Sequence, residues 1–160
     1  MILIAYDGSP DAKSAIERAG ELMKDRPAAV FTVWEPFEDV VARVGAGMAV
    51  ANVDYEALDR SYQEQARERA DEGVSLARDA GLKPEPRTAV RRGSIADTIL
   101  AAGDEIDAEA IVLGTRGLGR LKSVLLGSVS HAVLQQADRP VIVVPSPEVA
   151  AARAERRDQV

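Results

Sequence analysis

Four small residues in the last third of the chain have the types and spacing of a phosphate-binding loop. Gly114 and Gly117 form a G-x-x-G pair after a β-branched run that starts at Ile111, and Gly127-Ser128 follows after nine more residues. The pattern predicts a strand, a glycine loop and a helix start capped by Ser128. Glycine allows positive φ and close approach of backbone N–H groups, and a helix N-terminus attracts anions. The loop therefore suits a phosphate group.

Two better-known phosphate motifs do not fit this loop. Gly114 and Gly119 have the G-x-x-x-x-G spacing of a P-loop, but Arg120 and Leu121 replace its Lys and Ser/Thr. The dinucleotide fingerprint fails because Lys122 occupies the position of its third glycine. A strand-turn-helix glycine loop without a ligand remains the structural alternative.

Composition narrows the class of protein. The chain has 160 residues, which predicts one domain. It has no cysteine, which excludes disulfide and thiolate chemistry. Its formal net charge of −6 disfavours nucleic acid or an anionic membrane as the main partner. Met1 leads directly into a short apolar run without a basic leader, so we expect a cytoplasmic protein.

Strand and helix patterns alternate along the chain. A continuous apolar run predicts a buried parallel strand, and three- and four-residue apolar spacing predicts a helix. Ser9 with Pro10 predicts one helix start, and Ser94 with Asp97 predicts another. Predicted strands cover residues 2–6, 28–34, 86–91, 108–114 and 141–144, and predicted helices follow Ser9 and cover 54–80, 94–103 and 128–137.

Two segments lack such patterns. Residues 35–52 exceed the usual length of a connection, so they are predicted to be a lid over the ligand or a disordered loop. Residues 146–160 show no apolar stripe and are predicted to be a frayed, flexible tail after a domain of residues 1–145.

This alternation predicts an α/β fold, a doubly wound five-stranded parallel sheet of Rossmann-like type with helices on both faces and order 3-2-1-4-5. Ligands bind where the winding reverses, at the carboxyl ends of strands one and four. Asp7 and Gly114 end those strands. A carboxylate at Asp7 would accept hydrogen bonds from ribose hydroxyls. The alternative is that Asp7 only forms a turn with Ser9.

Three stretches resemble the ATP-binding branch of the universal stress protein family. They are the start, Ile2 to Ser9, the set Gly114, Gly117, Gly127 and Ser128, and the ending Arg139 to Pro145. The resemblance covers roughly residues 1–145, and the family often has proline in place of Ala5. It implies contacts with adenine, ribose and phosphates by Ala5, Asp7, Val33, Leu113, Gly114, Gly117, Gly127, Ser128 and Val129.

The resemblance also implies a function. It suggests a regulatory stress-response protein that binds ATP or ADP, with or without Mg²⁺, and hydrolyses ATP slowly if at all. Such a protein would act on a protein partner that the sequence does not identify. It implies a homodimer through the last strand, which consists of Val141, Ile142, Val143 and Val144. A module of the same fold that binds proteins but no nucleotide is the alternative. A signalling receiver is disfavoured because Arg91-Arg92 and Pro145 occupy positions that need acidic residues and a lysine.

Polar residues near the loop leave two further questions. Arg116, Arg120 and Lys122 would either neutralise phosphate charge or be solvated. His131 lies three residues after Ser128, as in a Ser–His nucleophile. Helical spacing turns His131 away from the side defined by Val129, Ala132 and Val133, so we do not expect catalysis there.

Overall fold

The computed structural model describes residues 1–44, 54–117 and 126–157. Its strands are β1 (Ile2–Ala5), β2 (Pro27–Trp34), β3 (Lys83–Val90), β4 (Ala110–Gly114) and β5 (Val141–Val144). Its helices are α1 (Pro10–Leu22), α2 (Phe37–Val44), α3 (Tyr55–Asp79), α4 (Ile95–Glu105), α5 (Ser128–Gln136) and α6 (Pro147–Arg157). The strands form one parallel sheet in the order β3-β2-β1-β4-β5, which confirms the predicted topology.

Local chemistry explains most helix starts. The Ser9 side chain accepts a hydrogen bond from the Ala12 amide at 3.2 Å and caps α1, with Pro10 in its first turn. Ser94 and Asp97 form the predicted capping box at α4. Such caps satisfy amides that would otherwise lack partners in the first turn.

The core has one layer on each face of the sheet. Because side chains alternate along a strand, Ile2 and Ile4 of β1 pack with α1 and α3, whereas Leu3 packs with α4 and α5. Helix α3 lies close to the sheet, since a β-carbon added to Gly73 would be 2.7 Å from Val30 Cγ1. This explains the predicted stripe of small residues on α3.

Helix α2 is a difference from the sequence prediction. It occupies part of segment 35–52, for which we expected a lid or a disordered loop and no helix, while residues 45–52 lie outside the described residues. Phe37 anchors α2 to α3, with its ring 5.6 Å from that of Tyr55 and 6.3 Å from that of Tyr62. The helix was missed because tertiary aromatic contacts stabilise it, rather than a long periodic stripe.

The C-terminal segment also differs, because α6 covers residues 147–157 of the tail predicted to be frayed. Ser146 accepts a hydrogen bond from the Val149 amide at 3.4 Å, and Val149 is only 6% exposed. One buried valine does not create a periodic apolar pattern, so the sequence did not predict this helix. In addition, β3 begins at Lys83 rather than at Pro86. No helix in the described parts of the chain is long and apolar enough to cross a membrane.

Candidate functional site

A cleft of about 760 Å³ opens at the carboxyl edge of the sheet, between the ends of β1 and β4. This is the place where the strand order reverses, as expected for ligand sites in open α/β sheets. Segments far apart in sequence meet there. The lining includes all nine residues selected from the sequence, which are Ala5, Asp7, Val33, Leu113, Gly114, Gly117, Gly127, Ser128 and Val129.

Asp7 lies at the end of β1 and faces the glycine loop. One carboxylate oxygen accepts a hydrogen bond from the Ser9 amide at 3.0 Å, so Asp7 does form the turn considered as the alternative. Its other oxygen, Oδ2, lies 2.5 Å from the position that a β-carbon on Gly117 would occupy. A carboxylate has room for several hydrogen bonds, so the turn and a ribose contact are compatible.

The loop glycines are required for close packing rather than for positive φ. Among the glycines of the described residues, only Gly8, Gly81 and Gly93 have positive φ. The positive φ that glycine allows is therefore not used at Gly114, Gly117 or Gly127. A β-carbon on Gly114 would be 2.6 Å from the backbone of Asp11, and one on Gly127 would be 3.0 Å from the Thr115 carbonyl oxygen. Because these two glycines have no β-carbon, α1 and α5 can approach the end of β4.

The N-terminus of α5 also faces the cleft. Its N-cap is Gly127 rather than Ser128, which is the first residue of the helix, so the predicted cap is wrong by one position. No side chain caps this end. Within the described residues, no carbonyl or side chain accepts from the amides of Ser128, Val129 or Ser130. Such amides, at the positive end of the helix dipole, suit an anionic group.

Buried polar contacts that the sequence analysis missed hold the root of the loop. Asp11, which is 4% exposed, accepts hydrogen bonds from the Thr115 hydroxyl and from the Arg116 amide at 3.1 Å. Ser130 donates to the Gly114 carbonyl at 2.7 Å. Ser9 donates to the Arg116 carbonyl at 3.3 Å. These bonds join α1, β4 and α5, so the loop root is pre-organised for a ligand.

The opposite end of the cleft is apolar and aromatic. It is lined by Phe31, Val33, Trp34, Tyr62, Ile95, Ile99 and Leu113. A wall of this kind suits a planar ring system such as a nucleobase. Burial raises the pKa of the nearby Tyr6 hydroxyl well above its usual value, with the charges of Glu72 and Asp7 adding to the effect. A tyrosine hydroxyl is neutral at physiological pH even without this shift, so the raised pKa only extends the pH range over which Tyr6 stays neutral.

An ionic network attaches α2 to the end of the sheet. Glu35 accepts from Arg43 at 3.0 and 2.5 Å, and Arg91 Nε lies 3.5 Å from Glu35. Arg91 also donates to Asp39 at 3.0 Å. Val40 of the same helix lines the cleft, so α2 forms a wall beside the apolar end.

We expect ligand binding to protect this wall from hydrogen exchange. ATP that contacts Val40 and Trp34 should slow amide exchange in residues 35–52, because a lid orders on closure. Exchange measured by mass spectrometry with and without saturating ATP checks this, with α6 as an internal reference. Equal protection with and without ATP would show that the segment only connects β2 to α3.

The other polar candidates are placed as follows. Arg116 lines the cleft, with its Nε 3.9 Å from Asp11, whereas Arg120 and Lys122 lie outside the described residues. His131 is exposed and Val133 is fully buried, as the helical spacing predicts. The described residues contain no group of three or more His, Cys, Asp or Glu side chains that could hold a metal ion.

Known proteins share both the sequence pattern and the fold of this chain. The family model described as the universal stress protein family matches residues 1–145. A universal stress protein of Thermus aquaticus is 34% identical over 145 residues, which cover 89% of this chain and 96% of that protein. A solved universal stress protein of Archaeoglobus fulgidus is 29% identical with a TM-score of 0.61, covering 89% of this chain and 91% of that one. A solved structure of a universal stress protein of Archaeoglobus fulgidus in complex with dAMP is 26% identical with a TM-score of 0.56, covering 89% of this chain and 95% of that one.

Proposed function

Since this chain belongs to the universal stress protein family, we propose that it binds an adenine nucleotide, with ATP as the expected ligand, in the cleft between β1 and β4. One observation carries the proposal. Residues chosen from separate stretches of sequence line a single cleft that has an uncapped helix N-terminus at one end and an apolar wall at the other. The dAMP complex of the Archaeoglobus relative supports the same ligand class.

The chemistry of the lining assigns each part of the ligand a place. The base would pack on Ala5 and Val33, the ribose hydroxyls would donate to Asp7, and the phosphates would accept from the first amides of α5. Gly117 and Gly127 let the loop pack closely around this site, because a β-carbon on Gly117 would lie 2.5 Å from Asp7 Oδ2 and one on Gly127 would lie 3.0 Å from the Thr115 carbonyl oxygen. Mg²⁺ would accompany the phosphates rather than occupy a protein site of its own.

We further propose that the protein is a cytoplasmic regulator rather than an efficient enzyme. Phosphoryl transfer requires a positioned cation and a residue that orients the attacking water. In the described lining, the Asp7 carboxylate already accepts from the Ser9 amide, and the Glu35 carboxylate accepts from Arg43 and is ion-paired with Arg91. ATP hydrolysis would accordingly be slow, and nucleotide occupancy would act on a partner protein through the shape of the cleft and the dimer.

Mass spectrometry of small molecules released by denaturing the purified protein tests the proposal. We expect ATP, ADP or AMP to be detected at a substantial fraction of the protein concentration. A protein that carries no nucleotide and takes up none from an ATP solution would instead be the nucleotide-free interaction module of the same fold.

The dimer is proposed to form through β5, which is an edge strand of the sheet. The carbonyls of Pro140 and Val144 accept from Ile111 and Thr115 of the β4 segment at 2.9 Å. Because backbone groups alternate in direction along a strand, the amide of Val143 points to the free edge. An unpaired apolar edge strand can pair with a second chain, and a two-fold dimer would provide hydrogen-bond partners for its free backbone groups. The other edge, β3, contains Pro84 and Pro86, which disfavour pairing.

Replacing Val143 with proline is expected to give a monomer. The substitution removes an amide donor directed at the partner while leaving the bonds from β5 to β4 in place. Light scattering should then report 17.1 kDa instead of twice that mass. Val143→Thr keeps the amide and the β-branched shape and should remain dimeric. An unchanged mass for Val143→Pro would place the interface elsewhere.

A further inference from the structure

One arginine of α3 extends over the end of β1, beside the proposed ribose site. A β-carbon added to Gly8 would lie 3.6 Å from Arg69 Nε and 3.7 Å from its Cδ. The Arg69 side chain is partly buried and lines the cleft. Its guanidinium group therefore lies beside Gly8, the residue that follows Asp7, on the side of the cleft formed by α3.

Arg69 differs from neighbouring arginines of the same helix in its partners. Arg60 lies 3.9 Å from Glu56, and Arg67 lies 3.6 Å from Glu64. Within the described part of the chain, Arg69 makes no hydrogen bond and no ion pair within 4.0 Å.

One acidic residue near Arg69 is already engaged. Glu72 lies one helical turn further along α3, but its carboxylate is 2.8 Å from Lys13 Nζ. The hydrogen bond from Lys13 is the main reason that the pKa of Glu72 is lowered, and the charge of Arg69 adds only a smaller effect. Arg69 thus presents a guanidinium group with unused donors to the cleft.

We propose that Arg69 binds the phosphate next to the ribose of the nucleotide, from the side opposite the N-terminus of α5. The proposal rests on the proposed function, and it adds a contact that the glycine motif does not contain. A guanidinium group has a planar set of donors that matches phosphate oxygens, and partial burial strengthens the attraction. Its position beside Gly8, the residue after the proposed ribose ligand Asp7, favours the first phosphate over the terminal ones. The cleft would then bind the nucleotide phosphates from two helices.

Comparing phosphorylated ligands with adenosine tests the role of Arg69. Arg69→Gln keeps a polar side chain without the charge, and Arg67→Gln is the matched control on the same helix, outside the cleft. Calorimetry with AMP, ADP, ATP and adenosine should show roughly 10-fold weaker binding of all three nucleotides to Arg69→Gln. Adenosine should change by less than about twofold, because it has no phosphate. Arg67→Gln should bind every ligand like the wild type.

Several outcomes would overturn the proposal, and they separate it from the proposed function. Unchanged nucleotide affinity in Arg69→Gln, or an equal loss for adenosine, would show that Arg69 does not bind phosphate. A loss for ATP alone would move its contact to a terminal phosphate and contradict the assignment made here. A wild-type protein that binds none of the ligands would refute the proposed function together with this inference. Arg69→Lys keeps the charge without the fork and should lose less affinity than Arg69→Gln, which provides a second, conservative variant.

Discussion

Replacing Gly114 with alanine is expected to lower the free energy of unfolding by about 1–3 kcal/mol. The added β-carbon would lie 2.6 Å from the carbonyl carbon of Asp11 and 2.8 Å from the Ala12 amide nitrogen. Both atoms belong to the backbone of the first turn of α1. This turn cannot move without disturbing the hydrogen bonds that the Asp11 side chain accepts from Thr115 and Arg116. Urea denaturation followed by circular dichroism measures the effect.

Gly103→Ala is the matched control for this substitution. Gly103 is also buried, but a β-carbon there would lie 3.6 Å from Ile111 Cδ1, an ordinary van der Waals distance. Since Gly103 is inside α4, alanine should be neutral or should stabilise the protein by up to about 1 kcal/mol. Equal urea midpoints for Gly114→Ala and the wild type would contradict the close packing of α1 on the end of β4.

Replacing Asp7 with alanine should weaken the binding of adenosine, ADP and ATP by the same factor, roughly 10- to 100-fold. The loss corresponds to about 1.5–3 kcal/mol, which is typical of a hydrogen bond to a charged group. All three ligands contain the ribose that Asp7 is proposed to bind, so the factor should not depend on the phosphates. Calorimetry on the three ligands measures it.

Two comparisons separate the ribose contact from the turn and from the phosphate end. Asp7→Asn keeps an oxygen that can accept from the Ser9 amide, so its fold should be intact while the ribose contact weakens. Gly127→Ala and Ser128→Ala should weaken the binding of ATP and ADP but change the binding of adenosine little, because both substitutions alter the N-terminus of α5. The stability loss expected for removing a cap does not apply to Ser128, which is not the N-cap. Full adenosine affinity in Asp7→Ala would refute the ribose assignment.

Short-range signals made the fold predictable from sequence. The apolar run at β1, the cap at Ser9 and the box at Ser94 each involve residues within a few positions of one another, and all three are found in the structure. The alternation of strands and helices then restricts the topology, because crossovers are right-handed and cover both faces. The position of the cleft follows from that topology.

Contacts between distant residues were not predictable in the same way. Asp11 and Thr115 are 104 positions apart. Asp11 belongs to no phosphate-binding motif, and Thr115 occupies a variable position of the G-x-x-G pair. Helix α2 depends on aromatic contacts with α3, and Arg69 reaches the cleft only because α3 crosses the end of β1 beside Gly8. The glycines were selected correctly as small residues, but their reason for being small is packing. The role of the nine lining residues in ligand binding stays a prediction.

Titration calorimetry of the wild-type protein with ATP is the most direct test of the central claim, that the cleft between β1 and β4 binds an adenine nucleotide. We predict saturable binding of one ATP per chain, and competition by adenosine, since both would occupy the Val33 and Asp7 end of the same cleft. Absence of saturable heat with ATP, or ATP binding that adenosine does not compete for, would contradict this account.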